Sequence, residues 1–145
     1  MATLVVLGGS FLLYRLLGAA TDVSVFATWL GSARAALATM FLFTAVSHFA
    51  PMRKDLIAMV PPSLPRPDVL VFVTGVAELA GAAGLMFPPT RFWAACGLIA
   101  LLVTMFPANI SAARRETTIR GRRATPLRLR TPMQILFIVW AWSVR

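Results

Sequence analysis

The feature that most constrains this chain is the apolar run Val69–Phe87, which carries a single carboxylate, Glu78, near its middle. A run of that length is about what a helix needs to cross a bilayer. An ionisable group at such depth is costly, so it must face the protein interior and find polar company. Small residues surround it: Thr74, Gly75, Ala77, Ala80, Gly81, Ala82, Ala83 and Gly84. The four-residue spacings of Ala77 with Gly81 and of Ala80 with Gly84 let helices approach closely in lipid.

Four further apolar runs accompany it. Hydrophobic residues make up 59% of the 145 and charged residues 13%, with mean hydropathy +0.79. Soluble domains are about half apolar and about a quarter charged. These numbers predict a single all-α integral membrane domain over residues 1–145. The spans are expected at about 2–20, 33–50, 68–87, 91–109 and 128–144.

The net charge is +9. The arginines flank the apolar runs, so the charge points to lipid headgroups and membrane topology and away from nucleic acid. The one cysteine, Cys96, excludes an internal disulfide and dithiol chemistry. The one histidine, His48, makes a metal centre or bis-histidine haem within one chain unexpected. No Gly-rich phosphate loop is present.

Along the chain, the first run holds Arg15 on a helical face with Gly8, Phe11 and Gly18. It lacks a basic leader and is interrupted by Arg15, which argues against a secretory signal. Arg15 either turns inward or reaches the outer headgroups. Thr21–Ser32, with Asp22 and Trp29, reads as a connector, Trp29 being an interfacial anchor. In the second run Phe41, Thr44 and His48 share a face, and Pro51 stops the helix. Residues 52–60 read as an amphipathic interfacial helix with Arg53, Lys54 and Asp55 on its polar side. Pro61–Pro67 reads as stiff and extended. The fourth run ends at Pro107-Ala108-Asn109, with Asn109 as a helix cap. A loop over 110–130 holds seven arginines against Glu116. The last run contains Gln134, Trp140 and Trp142.

Alternating spans place the 52–66 and 110–130 loops on one side, with ten cationic residues there against three (Arg34, Arg91, Arg145) on the other. That asymmetry predicts an inside amino terminus and an outside carboxyl terminus. His48, Asn109, Gln134, Thr74 and Glu78 then form a candidate polar track from the inner face. Glu78 and His48 are its candidate catalytic pair. Thr74, Asn109, Gln134 and Arg15 are candidate ligand-binding residues, Arg15 reaching towards Glu78 from the outer side. A structural role for the Glu78 carboxylate, and a helix-end cap by the His48 ring, are the plainer alternatives.

The series Arg34…Met40-Phe41-Leu42-Phe43…Ser47-His48-Phe49, Met59-Val60-Pro61-Pro62…Leu64-Pro65, Thr74-Gly75-Val76-Ala77-Glu78, Phe106-Pro107-Ala108-Asn109 and Leu129-Arg130…Gln134 resembles the DoxX-like membrane protein family over about residues 33–145. The resemblance implies a four-helix core in a bacterial inner membrane, the first span being an addition. It also implies association with a redox partner, and weight on His48, Glu78, Pro107 and Asn109. Three functions are expected to compete. One is a redox- or quinone-associated subunit with a polar site in the bundle. Another is an isomerase- or hydrolase-type enzyme on a lipophilic substrate, with Glu78 as acid or base. The third is a structural or assembly protein. The cofactor is left open by the sequence, which is compatible with a quinone or another lipophilic ligand and gives no reason to expect a metal or haem. Membrane lipids, a membrane redox partner or a second copy of the chain are the expected partners.

Overall fold

The structure is a computed structural model, and it describes residues 2–21, 23–50, 52–115, 118–119, 121–123 and 125–145. Expectations for Asp22, Pro51, Glu116 and Arg120, and for the Arg122 and Arg123 side chains, lie outside the described residues. The elements are α1 (Ala2–Ala20), α2 (Ser24–Ala27), α3 (Trp29–Phe49), α4 (Arg53–Met59), α5 (Pro67–Met86), α6 (Arg91–Arg114), β1 (Thr118–Ile119), β2 (Arg122–Arg123) and α7 (Leu127–Ser143). The fold is helical apart from the two-residue β1–β2 ladder, which pairs antiparallel around Gly121 at φ +72°. Glycine takes that left-handed conformation without steric penalty.

Four helices, α1, α3, α5 and α6, are long and apolar enough to cross a membrane. The expected fifth span forms as α7 but has 17 residues. At 1.5 Å per residue it reaches about 25 Å, short of a hydrocarbon core of about 30 Å.

Helices α3, α5, α6 and α7 close a ring, each touching the next, and α1 packs on the outside of α3. The last join, α7 to α3, is polar. Trp140 Nε1 donates to the Ala33 carbonyl at 3.0 Å, and Arg34 Nε donates to the Val144 carbonyl at 3.1 Å. Tyr14 and Thr39 share a 2.8 Å hydroxyl contact between α1 and α3, and the Phe11 ring meets Trp140 edge-on. Apolar side chains such as Val5, Leu16, Val46, Phe72 and Val103 point out of the bundle, as a lipid-facing surface requires. Inside, Leu7, Leu37, Met40, Phe41, Leu85, Leu98 and Phe137 form the core.

Small residues set the helix spacing. A β-carbon added to Gly81 would run into the Leu98 side chain of α6, and one added to Gly84 would lie 2.8 Å from Ala94 Cβ. The expected close approach around 77–84 is thus made against α6.

Four local expectations are corrected. The 21–32 connector contains α2, and α3 begins at Trp29 because Thr28 Oγ1 accepts from the Gly31 N–H at 3.0 Å, an N-cap. The Pro61–Pro67 segment turns, with Leu64 N–H donating to the Pro61 carbonyl at 3.0 Å. Proline pre-sets the backbone for the second position of such a turn, here Pro62. Helix α6 continues past Pro107 to Arg114, so Asn109 lies inside it and not at its cap. Proline removes one ladder bond, and buried or membrane helices tolerate that where neighbouring groups compensate. The 110–130 stretch is correspondingly a helix end and a short hairpin before α7.

The chain path puts α4, the hairpin and the adjoining ends of α3, α5, α6 and α7 at one end of the bundle. Arg115 Nη2 confirms the grouping by donating to the Ala58 and Val60 carbonyls of α4's last turn at 2.7 and 2.9 Å. Trp29, Trp93, Trp140 and Trp142 all belong to the other end, near the start of α3 and α6 and the finish of α7.

Candidate functional site

Glu78 and His48 meet in the seam between α3 and α5, and they are 5% and 3% exposed. His48 Nε2 lies 3.6 Å from Glu78 Oε2. That is ion-pair range but longer than a hydrogen bond. Oε2 has no hydrogen-bond partner among the described residues.

The other imidazole nitrogen fixes the chemistry. Nδ1 donates to the Val71 carbonyl on α5 at 2.8 Å, with Thr74 Oγ1 as a further neighbour at 3.2 Å. A carbonyl only accepts, so Nδ1 carries a proton in both charge states of the ring. Nε2 therefore presents either a lone pair or an N–H to Glu78. A neutral ring with a protonated carboxyl and a cationic ring with a carboxylate differ only in where one proton sits. A neutral ring beside a carboxylate would aim a lone pair at a buried, unpaired charge, which low polarity penalises heavily. The less costly states of the pair are therefore the two that carry a single proton on one group or the other.

Two hydroxyls complete the cluster. Thr74 Oγ1 donates back to its own helix, at 2.9 Å from the Leu70 carbonyl and 3.0 Å from that of Val71. Thr44, one turn before His48, stands beside the Glu78 carboxyl, and its Oγ1 donates to the Phe41 carbonyl at 3.0 Å. Thr44 was not among the expected site residues. Its signal was the four-residue spacing to His48, which puts both on one face. His48 does not cap its own helix, because its ring proton crosses to α5.

The remaining expected site residues lie apart from this cluster. Arg15 does not reach Glu78. Its Nη1 donates to the Phe26 and Ala27 carbonyls at 3.1 Å each, and its guanidinium stands 4.6 Å from the Trp29 ring centre. The unsatisfied carbonyls of the short α2 helix offer a nearer and less buried partner. Asn109 Oδ1 accepts from Arg130 Nη1, and Gln134 Nε2 donates to the Leu102 carbonyl at 2.6 Å. Both tie α6 to α7. The expected track from the inner face therefore divides. His48, Thr74 and Glu78 stay together, with Thr44, while Asn109 and Gln134 serve another seam.

Two apolar grooves open on the bundle surface. One, about 260 Å³, is lined by Leu4, Leu129, Pro132, Met133 and Leu136. The other, about 390 Å³, is lined by Cys96, Ile99, Ala100, Ile138, Val139 and Trp142. Neither touches Glu78 or His48. Among the described residues no group of His, Cys, Asp and Glu is placed to hold a metal ion.

No curated protein and no solved structure matches the chain. The model of a domain of unknown function, DUF8561, matches residues 37–145, a stretch that includes most of α3, all of α5, α6 and α7, and both His48 and Glu78, and the chain belongs to that family.

Proposed function

We propose that the chain is a non-catalytic, multi-pass subunit of a bacterial inner membrane, associated with a quinone-handling redox partner, with the His48–Glu78 pair as its polar centre. The observation that carries this reading is the approach of His48 Nε2 to Glu78 Oε2, 3.6 Å apart and both buried inside an apolar bundle. Acidic and histidine side chains within membrane helices mark proton relays. Quinone reduction takes up protons with its electrons, so a partner working on quinones has use for such a group. The resemblance of residues 33–145 to DoxX-like proteins supports a redox association. The cationic end of the bundle belongs in the cytoplasm by the positive-inside rule, and the tryptophan-bearing end at the outer interface. With five spans the amino terminus is inside and the carboxyl terminus outside.

The test is affinity capture from native membranes followed by quinone titration of the captured complex. A co-purifying redox protein and a quinone-dependent change that Glu78→Gln abolishes are expected. No partner together with no quinone effect overturns the reading.

A structural role is favoured by one observation, the tight fit of Gly75 against His48. In that reading the pair holds α3 and α5 in register. Glu78→Gln then lowers thermal stability and leaves partner capture and the quinone response untouched. An isomerase or hydrolase using Glu78 as acid or base has less to rest on, because neither groove reaches that carboxyl.

A further inference from the structure

The smaller groove runs along the seam between α1 and α7 and is wholly apolar where Leu4, Leu129, Pro132, Met133 and Leu136 line it. Gly8, one turn beyond Leu4, has open space where a β-carbon would stand. On α7, Arg128 precedes Pro132 by four residues, so it sits on the same stripe one turn nearer the cationic end. Its side chain is exposed and has no partner among the described residues. Pro132 has no N–H, so the Arg128 carbonyl loses the donor an α-helix would aim at it. The mouth of the groove thus offers an exposed guanidinium and a backbone acceptor. Arg53, Lys54, Arg66 and Arg114 belong to the same end of the bundle.

The geometry points to a binding site for one anionic phospholipid in the α1–α7 seam, with an acyl chain in the groove and the phosphate on Arg128. Charge complementarity selects this occupant. A basic membrane-facing end concentrates anionic lipid, and a guanidinium binds phosphate in a planar fork. Volume alone would choose the larger groove. There, however, the nearby cation, Arg145, rests its guanidinium 3.5 Å from the Trp142 ring centre and belongs to the opposite end. The site stands on the α1–α7 seam and does not depend on the His48–Glu78 pair.

Native mass spectrometry of the detergent-purified chain tests this, with phosphatidylglycerol and phosphatidylcholine of identical acyl chains as probes. Preferential retention of one phosphatidylglycerol is expected. Arg128→Gln should reduce it about fivefold, the value of one arginine near an anionic surface. Leu136→Trp, which fills the groove and keeps the charge, should also reduce it, and Arg145→Gln should leave it unchanged. Equal retention of the two lipids overturns the site. So does equal loss from Arg128→Gln and Arg145→Gln, or displacement of the lipid by millimolar inorganic phosphate.

Discussion

A β-carbon on Gly75 would stand 2.6 Å from Cβ of His48 and 3.0 Å from its Cγ. The glycine is what allows the imidazole to lie against α5 closely enough to donate to the Val71 carbonyl and face Glu78. Helix spacing and proton chemistry are therefore one geometric fact at this seam.

Gly75→Ala is expected to destabilise the bundle by about 1–3 kcal/mol, the usual cost of overpacking. The obstacle at 75 is the root of the His48 side chain, next to its backbone, so it yields less than the ends of a leucine do. Gly81→Ala, which meets the Leu98 side chain, should cost less, and Gly97→Ala, which meets nothing, should be neutral or slightly stabilising. Thermal unfolding of the three variants in one detergent gives the order.

Removing either member of the His48–Glu78 pair leaves the other buried without its partner. Glu78→Ala and His48→Ala are each expected to cost about 3–5 kcal/mol. The double variant should cost clearly less than the sum, because residues in contact couple. A denaturant double-mutant cycle measures the coupling, and strict additivity would show that the two groups do not interact.

Asn109 and Arg130 join α6 to α7 through the amide oxygen and one guanidinium nitrogen. Asn109→Ala strands a part-buried charged donor and should cost about 1.5–3 kcal/mol, as loss of a hydrogen bond to a charged group does. Asn109→Asp keeps an acceptor and should restore most of the loss. Melting temperatures of the pair of variants decide this, and an Asp variant as weak as the Ala variant would argue against the contact.

Arg115 closes the last turn of α4 from the end of α6. Arg115→Ala should leave the ring of long helices intact while loosening α4 and the segment after it. Limited trypsin digestion reads this directly: cleavage after Arg53 and Lys54 in α4 should accelerate several-fold with no change in the global melting temperature.

The long helices were largely legible in the chain because apolar run length sets them. The expected span 2–20 is α1, Ala2–Ala20, and the expected 68–87 is α5, Pro67–Met86. The short helix expected at 52–60 forms as α4, Arg53–Met59, with Met59 buried and Lys54 exposed. Ends were less legible wherever a proline stood. Pro107 reads as a stop, yet the helix runs on to Arg114, since the loss of one ladder bond need not end a helix whose other backbone groups stay paired.

The meeting of Glu78 with His48, which Thr74 also touches, was readable for the same reason that the depth of Glu78 was. A carboxylate in an apolar run must turn inward, and the polar groups on facing helices at that level are few. Which of the other polar residues joined them was not readable. Arg15, Asn109 and Gln134 had plausible depths, but each found a nearer backbone or side-chain partner.

Taken alone, then, the amino-acid order determined that the chain makes long apolar helices, about where most of them begin and end, though not the start of α3 or the far end of α6, and that Glu78 must be sheltered. Tertiary structure decided how each helix is rotated about its axis, and with that which polar groups touch. The physical reason is that helices apolar on nearly every side carry little information about which face turns inward. Rotation is settled only when glycines such as Gly75 and Gly81 admit one neighbour and exclude others.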